Sequence, residues 1–202
     1  MAARRKVMAI FGSRPEGIKM APVVQELRRH PDWFETVVVS TGQHREQLDQ
    51  VFEAFGLRAD HDLAIMQPRQ TLTDIMVRAL SGLDALLEAE RPDLVLVHGD
   101  TSTTAAGALA AFYHKIPVGH VEAGLRTFDK YNPYPEEINR RMAGIIADIQ
   151  FAPTPRAREH LLSERTDPET IFVTGQTGVD AALTVLQQQH EFSVPALREI
   201  DF

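Results

Sequence analysis

Leu94-Val95-Leu96-Val97-His98-Gly99-Asp100-Thr101 and, one helix further on, Pro117-Val118-Gly119-His120-Val121-Glu122-Ala123-Gly124 are short apolar runs that each stop at a carboxylate. Runs of this length read as strands buried on both faces. The gap between them suits one crossover helix with its turns. In an open parallel sheet, such strands deliver side chains to one crevice at their carboxyl ends, where ligands bind. Two acids converging there suggest a site that handles protons.

Working outward, strand and helix patterns alternate along the chain, which predicts an α/β fold with a doubly wound, mostly parallel sheet. Strands are expected at Val7 to Phe11, Phe34 to Ser40, Leu94 to Val97, Val118 to Val121, Ile149 to Ala152 and Ile171 to Val173. The first helix is expected over Lys19 to Arg29, with Pro22 tolerated only in its first turn. Leu48, Val51, Phe52 and Phe55 mark an amphipathic helix. The strongest helix runs from Leu72 to Glu90, with Thr71 and Asp74 forming a capping-box start. After Asp100, small residues from Thr103 to Ala108 predict a helix that packs closely. Further helices are expected at Glu136 to Ala147 and Val179 to about Gln189. Residues 1–190 read as one Rossmann-like domain, and residues 191–202 as a tail or linker.

The chain has 202 residues, no cysteine, a net charge of −7 and a hydrophobic share of 44%. Without cysteine there is neither a disulfide nor thiolate chemistry, which accords with a cytoplasmic setting. The acidic balance argues against nucleic acid as a partner. The apolar run after the basic Met1 to Lys6 is too short for a signal-peptide core, and no stretch reaches the roughly 18 apolar residues of a membrane span. No membrane partner is expected.

Several constellations have both a structural and a functional reading. In Phe11-Gly12-Ser13-Arg14-Pro15-Glu16-Gly17-Ile18-Lys19, the cations Arg14 and Lys19 flank a helix start, as an anion site or as a solvated basic turn. Neither a dinucleotide fingerprint nor a P-loop is present. Asp100 serves as a helix N-cap or as a site acid. Glu122, ending a buried strand, is costly unless paired or useful. His98 and His120 lie two residues before each acid, so an extended strand points each to the same side as its acid. Single buried histidines are more often hydrogen-bonded core residues. A third ligand for a metal is not evident. Glu136 and Arg140 share a helix face, as a surface ion pair or with Glu136 facing the crevice.

The segments FGSRPEGIKMAPVV, TGQHREQLDQV, VLVHGDTSTT, IPVGHVEAGLRT and PEEINR resemble the bacterial non-hydrolysing UDP-N-acetylglucosamine 2-epimerases, in order from about Lys6 to about Ala182. The resemblance implies one half of a two-domain enzyme of the GT-B arrangement, with the active site between the domains. It implies interconversion of UDP-N-acetylglucosamine and UDP-N-acetylmannosamine for polysaccharide synthesis, without cofactor or metal. In that chemistry the C2 proton is removed and UDP leaves C1, giving a 2-acetamidoglucal to which UDP re-adds. By resemblance, Asp100, Glu122 and Glu136 are the catalytic acids. Arg14 and Lys19 match substrate-contacting cations, Arg140 orients Glu136, and His98 lies with the substrate-binding residues. Gln43, His44 and Arg69 match an activating second site for UDP-N-acetylglucosamine. A homodimer is implied.

Ser13, Gly17, Asn132 and Gln176 replace the family's usual threonine, alanine, serine and asparagine. The family's second domain, carrying a catalytic histidine and most uridine contacts, has no counterpart in these residues, so the chain alone is expected to turn over little. The alternatives are a non-catalytic nucleotide-sugar-binding or dimerisation module, and a hydrolysing epimerase.

Overall fold

The computed structural model describes residues 3–42 and 45–187. Gln43, His44 and residues 188–202 lie outside them, and with them part of the implied second site, the end of the last expected helix and the expected tail. The elements in chain order are β1 (Arg5–Phe11), α1 (Arg14–Arg29), β2 (Phe34–Ser40), α2 (Arg45–Phe55), β3 (His61–Asp62), α3 (Leu72–Glu90), β4 (Leu94–His98), α4 (Ser102–Tyr113), β5 (Val118–Val121), α5 (Glu136–Ile146), β6 (Ile149–Ala152), α6 (Pro155–Ser163), β7 (Ile171–Val173) and α7 (Thr177–Leu186).

The strands form a sheet in the order β3-β2-β1-β4-β5-β6-β7, and every pairing is parallel. This is the doubly wound order, and its connections reverse between β1 and β4. Both faces are covered, which explains why the strands read as continuous rather than alternating apolar runs. Met8, Ile10, Val37, Val39, Val95 and Val97 pack on one face with Ile75, Ala79, Leu83 and Leu87 of α3 and Ala106, Ala108, Ala110 and Ala111 of α4. Val7, Ala9, Phe11, Val38 and Leu96 pack on the other with Met20 and Val24 of α1, Leu48, Val51, Phe52 and Phe55 of α2, and Ala181 of α7. Within α4, Ala105, Ala106, Ala108, Ala110 and Ala111 are all inaccessible, so the helix lies close against the sheet.

The first helix departs from its expected bounds. It begins at Arg14, and Pro22 lies in its interior rather than its first turn. The start signal is Ser13 as N-cap with Pro15 in the first turn and Glu16 bonded back to the Ser13 N–H. Pro22 forgoes one helical hydrogen bond. Packing of Met20, Ala21 and Val24, none of them solvent-accessible, holds the helix through it. The short β3 and the helix α6 are additions to the expected elements. α6 carries its own signal, since Thr154 Oγ1 accepts from the Ala157 N–H and Pro155 opens the helix. Gly124 (φ +86°) follows β5 where a Cβ would lie 2.3 Å from the Ala157 carbonyl oxygen, so only glycine lets α6 close on this turn.

Candidate active site

The carboxyl ends of β1, β4 and β5, beside the β1/β4 reversal, bring most of the expected residues together. β4 ends at His98, Gly99 takes φ +65°, and α4 is capped by Thr101, whose Oγ1 accepts from the Thr104 N–H at 3.2 Å. Thr101 therefore does the capping that the sequence also allowed to Asp100. The Asp100 carboxylate accepts instead from the Arg140 guanidinium of α5, and its backbone carbonyl accepts from Asn139 Nδ2 at 3.0 Å. Burial raises the Asp100 pKa above the ordinary carboxylate value; Arg140 opposes this, and the charges of Glu122 and Glu136 add to it. Asp100 thus sits within electrostatic reach of both Glu122 and Glu136.

β5 ends at Val121, and Glu122 takes φ +65°, a conformation that costs a residue other than glycine strain. This breaks the strand alternation. As a result His98, rather than His120, meets Glu122. His120 Nε2 lies 2.8 Å from the Gly99 carbonyl, holding the two strand ends together. Lys19 Nζ of α1 donates to both Glu122 oxygens, at 2.7 and 2.8 Å, and Gln176 Nε2 donates to Oε1. His98 Nε2 lies 3.2 Å from Oε2 without the alignment of a hydrogen bond. Burial alone would raise the Glu122 pKa; His98, Lys19 and Gln176 outweigh it and hold the carboxyl below its ordinary range.

Glu136 opens α5 and is half-buried. The expectation that Arg140 orients Glu136 is corrected: Arg140 pairs with Asp100, and its Nη1 lies 3.4 Å from Glu137 Oε2. Helical spacing puts Glu136 and Arg140 on one face, but the Asp100 carboxylate across the crevice competes more effectively for the guanidinium. Glu137, wholly buried, also accepts from the backbone N–H of Thr127 at 3.1 Å and of Phe128 at 3.0 Å. It ties the loop after β5 to α5.

The anion reading of the β1–α1 turn changes in detail. Glu16, buried at 2% exposure, accepts from the Gly12 and Ser13 N–H groups at 3.1 and 2.8 Å and from the Thr101 hydroxyl at 2.7 Å. An internal carboxylate therefore occupies backbone donors that a phosphate would have used. The Ser13-to-Glu16 spacing of a capping box was the available signal. Arg14 is exposed and, with Lys19, Gln47 and Gly178, lines an open groove of about 420 Å³ beside the site. Arg69 is exposed, at φ +57°, in the loop before α3. No three His, Cys, Asp or Glu side chains among the described residues are disposed to hold a metal ion. No helix among them is long and apolar enough to cross a membrane.

The family profile described as UDP-N-acetylglucosamine 2-epimerase matches residues 25–200. The chain belongs to this family. It is 54% identical over 195 residues to UDP-N-acetylglucosamine 2-epimerase of Bacillus subtilis, covering 96% of this chain and 50% of that protein. To the Escherichia coli K12 enzyme it is 55% identical over 183 residues, covering 91% of this chain and 48% of the other. The crystal structure of the Neisseria meningitidis UDP-GlcNAc 2-epimerase bound to UDP-GlcNAc superposes with a TM-score of 0.86 at 52% identity, over 89% of this chain and 48% of that one. The chain thus spans about half the length of the family members it matches.

The two buried histidines set a pH dependence for this part of the family fold. Loss of hydration pushes His98 and His120 down from 6.5 to about 4; Glu122 partly opposes this at His98, and the Gly99 carbonyl at His120. Between those values the unfolded chain binds protons that the folded chain does not. Their contribution is therefore complete above pH 6.5 and declines as pH falls through the window, by up to about 1.4 kcal/mol per pH unit for each imidazole. Glu16 works in the opposite sense, because burial raises its pKa above 4.5 and its contribution declines as pH rises. The urea midpoint is expected to fall between about pH 7 and about pH 5, and His120→Gln, which cannot titrate there, should flatten that slope. An equal slope in the variant would contradict the assignment.

Proposed function

We propose that the chain is the N-terminal half of a non-hydrolysing UDP-N-acetylglucosamine 2-epimerase, converting UDP-N-acetylglucosamine to UDP-N-acetylmannosamine by eliminating and re-adding UDP. The observation that carries this reading is the placement of Asp100 and Glu122 at the carboxyl ends of β4 and β5, with the charges of Glu122 and of Glu136, at the start of α5, both acting on Asp100. Inversion at C2 needs one group to take a proton from a weakly acidic carbon and another to return one to the opposite face. The half-buried Asp100, with its raised pKa, suits a group that carries a proton. The clamped Glu122 suits a fixed negative charge facing the cationic sugar that forms as UDP departs. Lys19 and Arg14, on the same rim, suit the leaving diphosphate. The strain at Glu122 accords with a functional position.

The same reading makes the enzyme cytoplasmic and a homodimer; the exposed Phe112 and Tyr113 at the end of α4 support a second copy docking there. The relatives' additional length supports a second, UDP-holding half, without which these 202 residues should turn over little. The test is incubation of UDP-N-acetylglucosamine in D₂O, followed by NMR, with a chain carrying both halves and with this chain alone. UDP-N-acetylmannosamine with deuterium at C2 is expected from the longer chain only. Free N-acetylmannosamine would mark a hydrolysing enzyme, and absence of any sugar product would sink the reading.

A further inference from the structure

We infer that Gln176 is a positioning residue for Glu122, a neutral arm from the start of α7 that holds one oxygen of the carboxylate in place. The inference rests on the proposed reading of Glu122 as a site acid.

Gln176 occupies the N-cap position of α7, in extended conformation, but gives that helix no side-chain cap. N-cap side chains ordinarily satisfy a free N–H of the first turn. Here the side chain turns away from its own helix, and its amide is spent on Glu122 Oε1. Gly175, at φ +84° with open space around it, supplies the turn that aims Gln176 inward. The groups facing Glu122 are Lys19 from α1, Gln176 from α7 and His98 from β4, with Asp100 and His120 of β5 acting on it through charge. Of these, the only bonded donors among the described residues are Lys19 and Gln176. His98 is in contact but not aligned, and burial disfavours its charged form.

The division between Lys19 and Gln176 has a consequence. Lys19 is a cation 30% exposed at the mouth of the groove, free to share its charge with an anionic ligand. Any such sharing loosens its hold on both Glu122 oxygens. Gln176 has no charge to offer an anion, so it keeps Oε1 located while Lys19 is drawn away. A carboxylate in a strained backbone setting then stays in register with the sugar.

The test is a ¹³C NMR titration of the Glu122 carboxyl in this chain, assigned with Glu122→Gln, in wild type, Gln176→Leu and Gln176→Glu. Gln176→Leu removes the donor at similar volume and is expected to raise the Glu122 midpoint by about 1 pH unit. Gln176→Glu sets a second carboxylate against it and should raise the apparent midpoint further, the two acids titrating as a pair. Thermal melts close to wild type would show both variants folded. A Glu122 midpoint unchanged in Gln176→Leu, or no higher in Gln176→Glu than in Gln176→Leu, overturns the inference. In a chain carrying both halves, Gln176→Leu should lower kcat by roughly 10-fold to 100-fold and leave KM nearly unchanged; equal kcat overturns it as well. If the wild-type longer chain forms no epimer, the proposed function fails, while the titration still decides what Gln176 does to Glu122.

Discussion

Asp100→Asn is expected to lower kcat/KM for UDP-N-acetylglucosamine by about 10²–10⁴-fold in a chain carrying both halves, the range a positioned proton-transfer group contributes. Local geometry singles the residue out. Gly99 turns the chain at the end of β4, Thr101 takes over the capping of α4, and Asp100 is left to face α5. Its carboxyl is held by Arg140, half-withdrawn from water, and under the influence of Glu122 and Glu136, so proton affinity there exceeds that of a surface aspartate. The substituted amide would preserve shape and one acceptor for Arg140 but could neither take nor give the proton. A coupled assay for UDP-N-acetylmannosamine, read beside a thermal melt, checks it. A fully folded Asp100→Asn variant within a few-fold of wild type would remove Asp100 from the chemistry.

The largest effect on stability is expected at Glu137. Glu137→Ala should cost about 3–5 kcal/mol, the usual penalty for breaking a buried charge pair from one side. The carboxylate is wholly buried and accepts from two consecutive backbone N–H groups, at Thr127 and Phe128, which water cannot replace in that setting. Its removal also strips one partner from Arg140, whose side chain is only 11% exposed. A domain of this size has roughly 5–15 kcal/mol in all, so the loss takes a large share. Urea unfolding measures it directly, and a loss under about 1 kcal/mol would show that loop and guanidinium find other partners. Since Arg140 also holds Asp100, activity should fall in this variant beyond what the unfolded fraction explains.

Much of the architecture is legible without coordinates. The bounds of β2, β5, β6, β7 and α3 agree with the apolar patterns to the residue, because each is a local run closed by its own stop signal. Thr71 with Asp74 announces the start of α3, and both capping bonds are made. The same kind of signal stands at Ser13 and Glu16. Placing Pro22 in the first turn overrides it, and α1 is then expected to begin too late. β3 and α6 escape a reading by pattern: the first spans only two residues, too few for any periodicity, and the second is marked by Thr154-Pro155 alone.

The candidate site divides along the same line. Its acids can be named from sequence, since a carboxylate at the end of a buried strand stands out against the apolar run before it. Their partners cannot. Lys19 lies 103 positions before Glu122, and Gln176 lies 54 positions after it. No periodicity spans such distances, and only the winding of the chain about the sheet brings them together. Arg140 has two acids in reach, and helical spacing favours the wrong one, Glu136, over Asp100. Strand alternation sets His120 beside Glu122, a rule that lapses once Glu122 takes a positive φ. Sequence alone determined most of the strands and helices, β3 and α6 apart, and which residues could carry charge to the sheet edge, because these follow from neighbours a few positions apart. Which charge faces which was left to the tertiary structure, because side-chain pairing depends on the direction in which each strand end releases its last residue and on what the packed helices leave beside it.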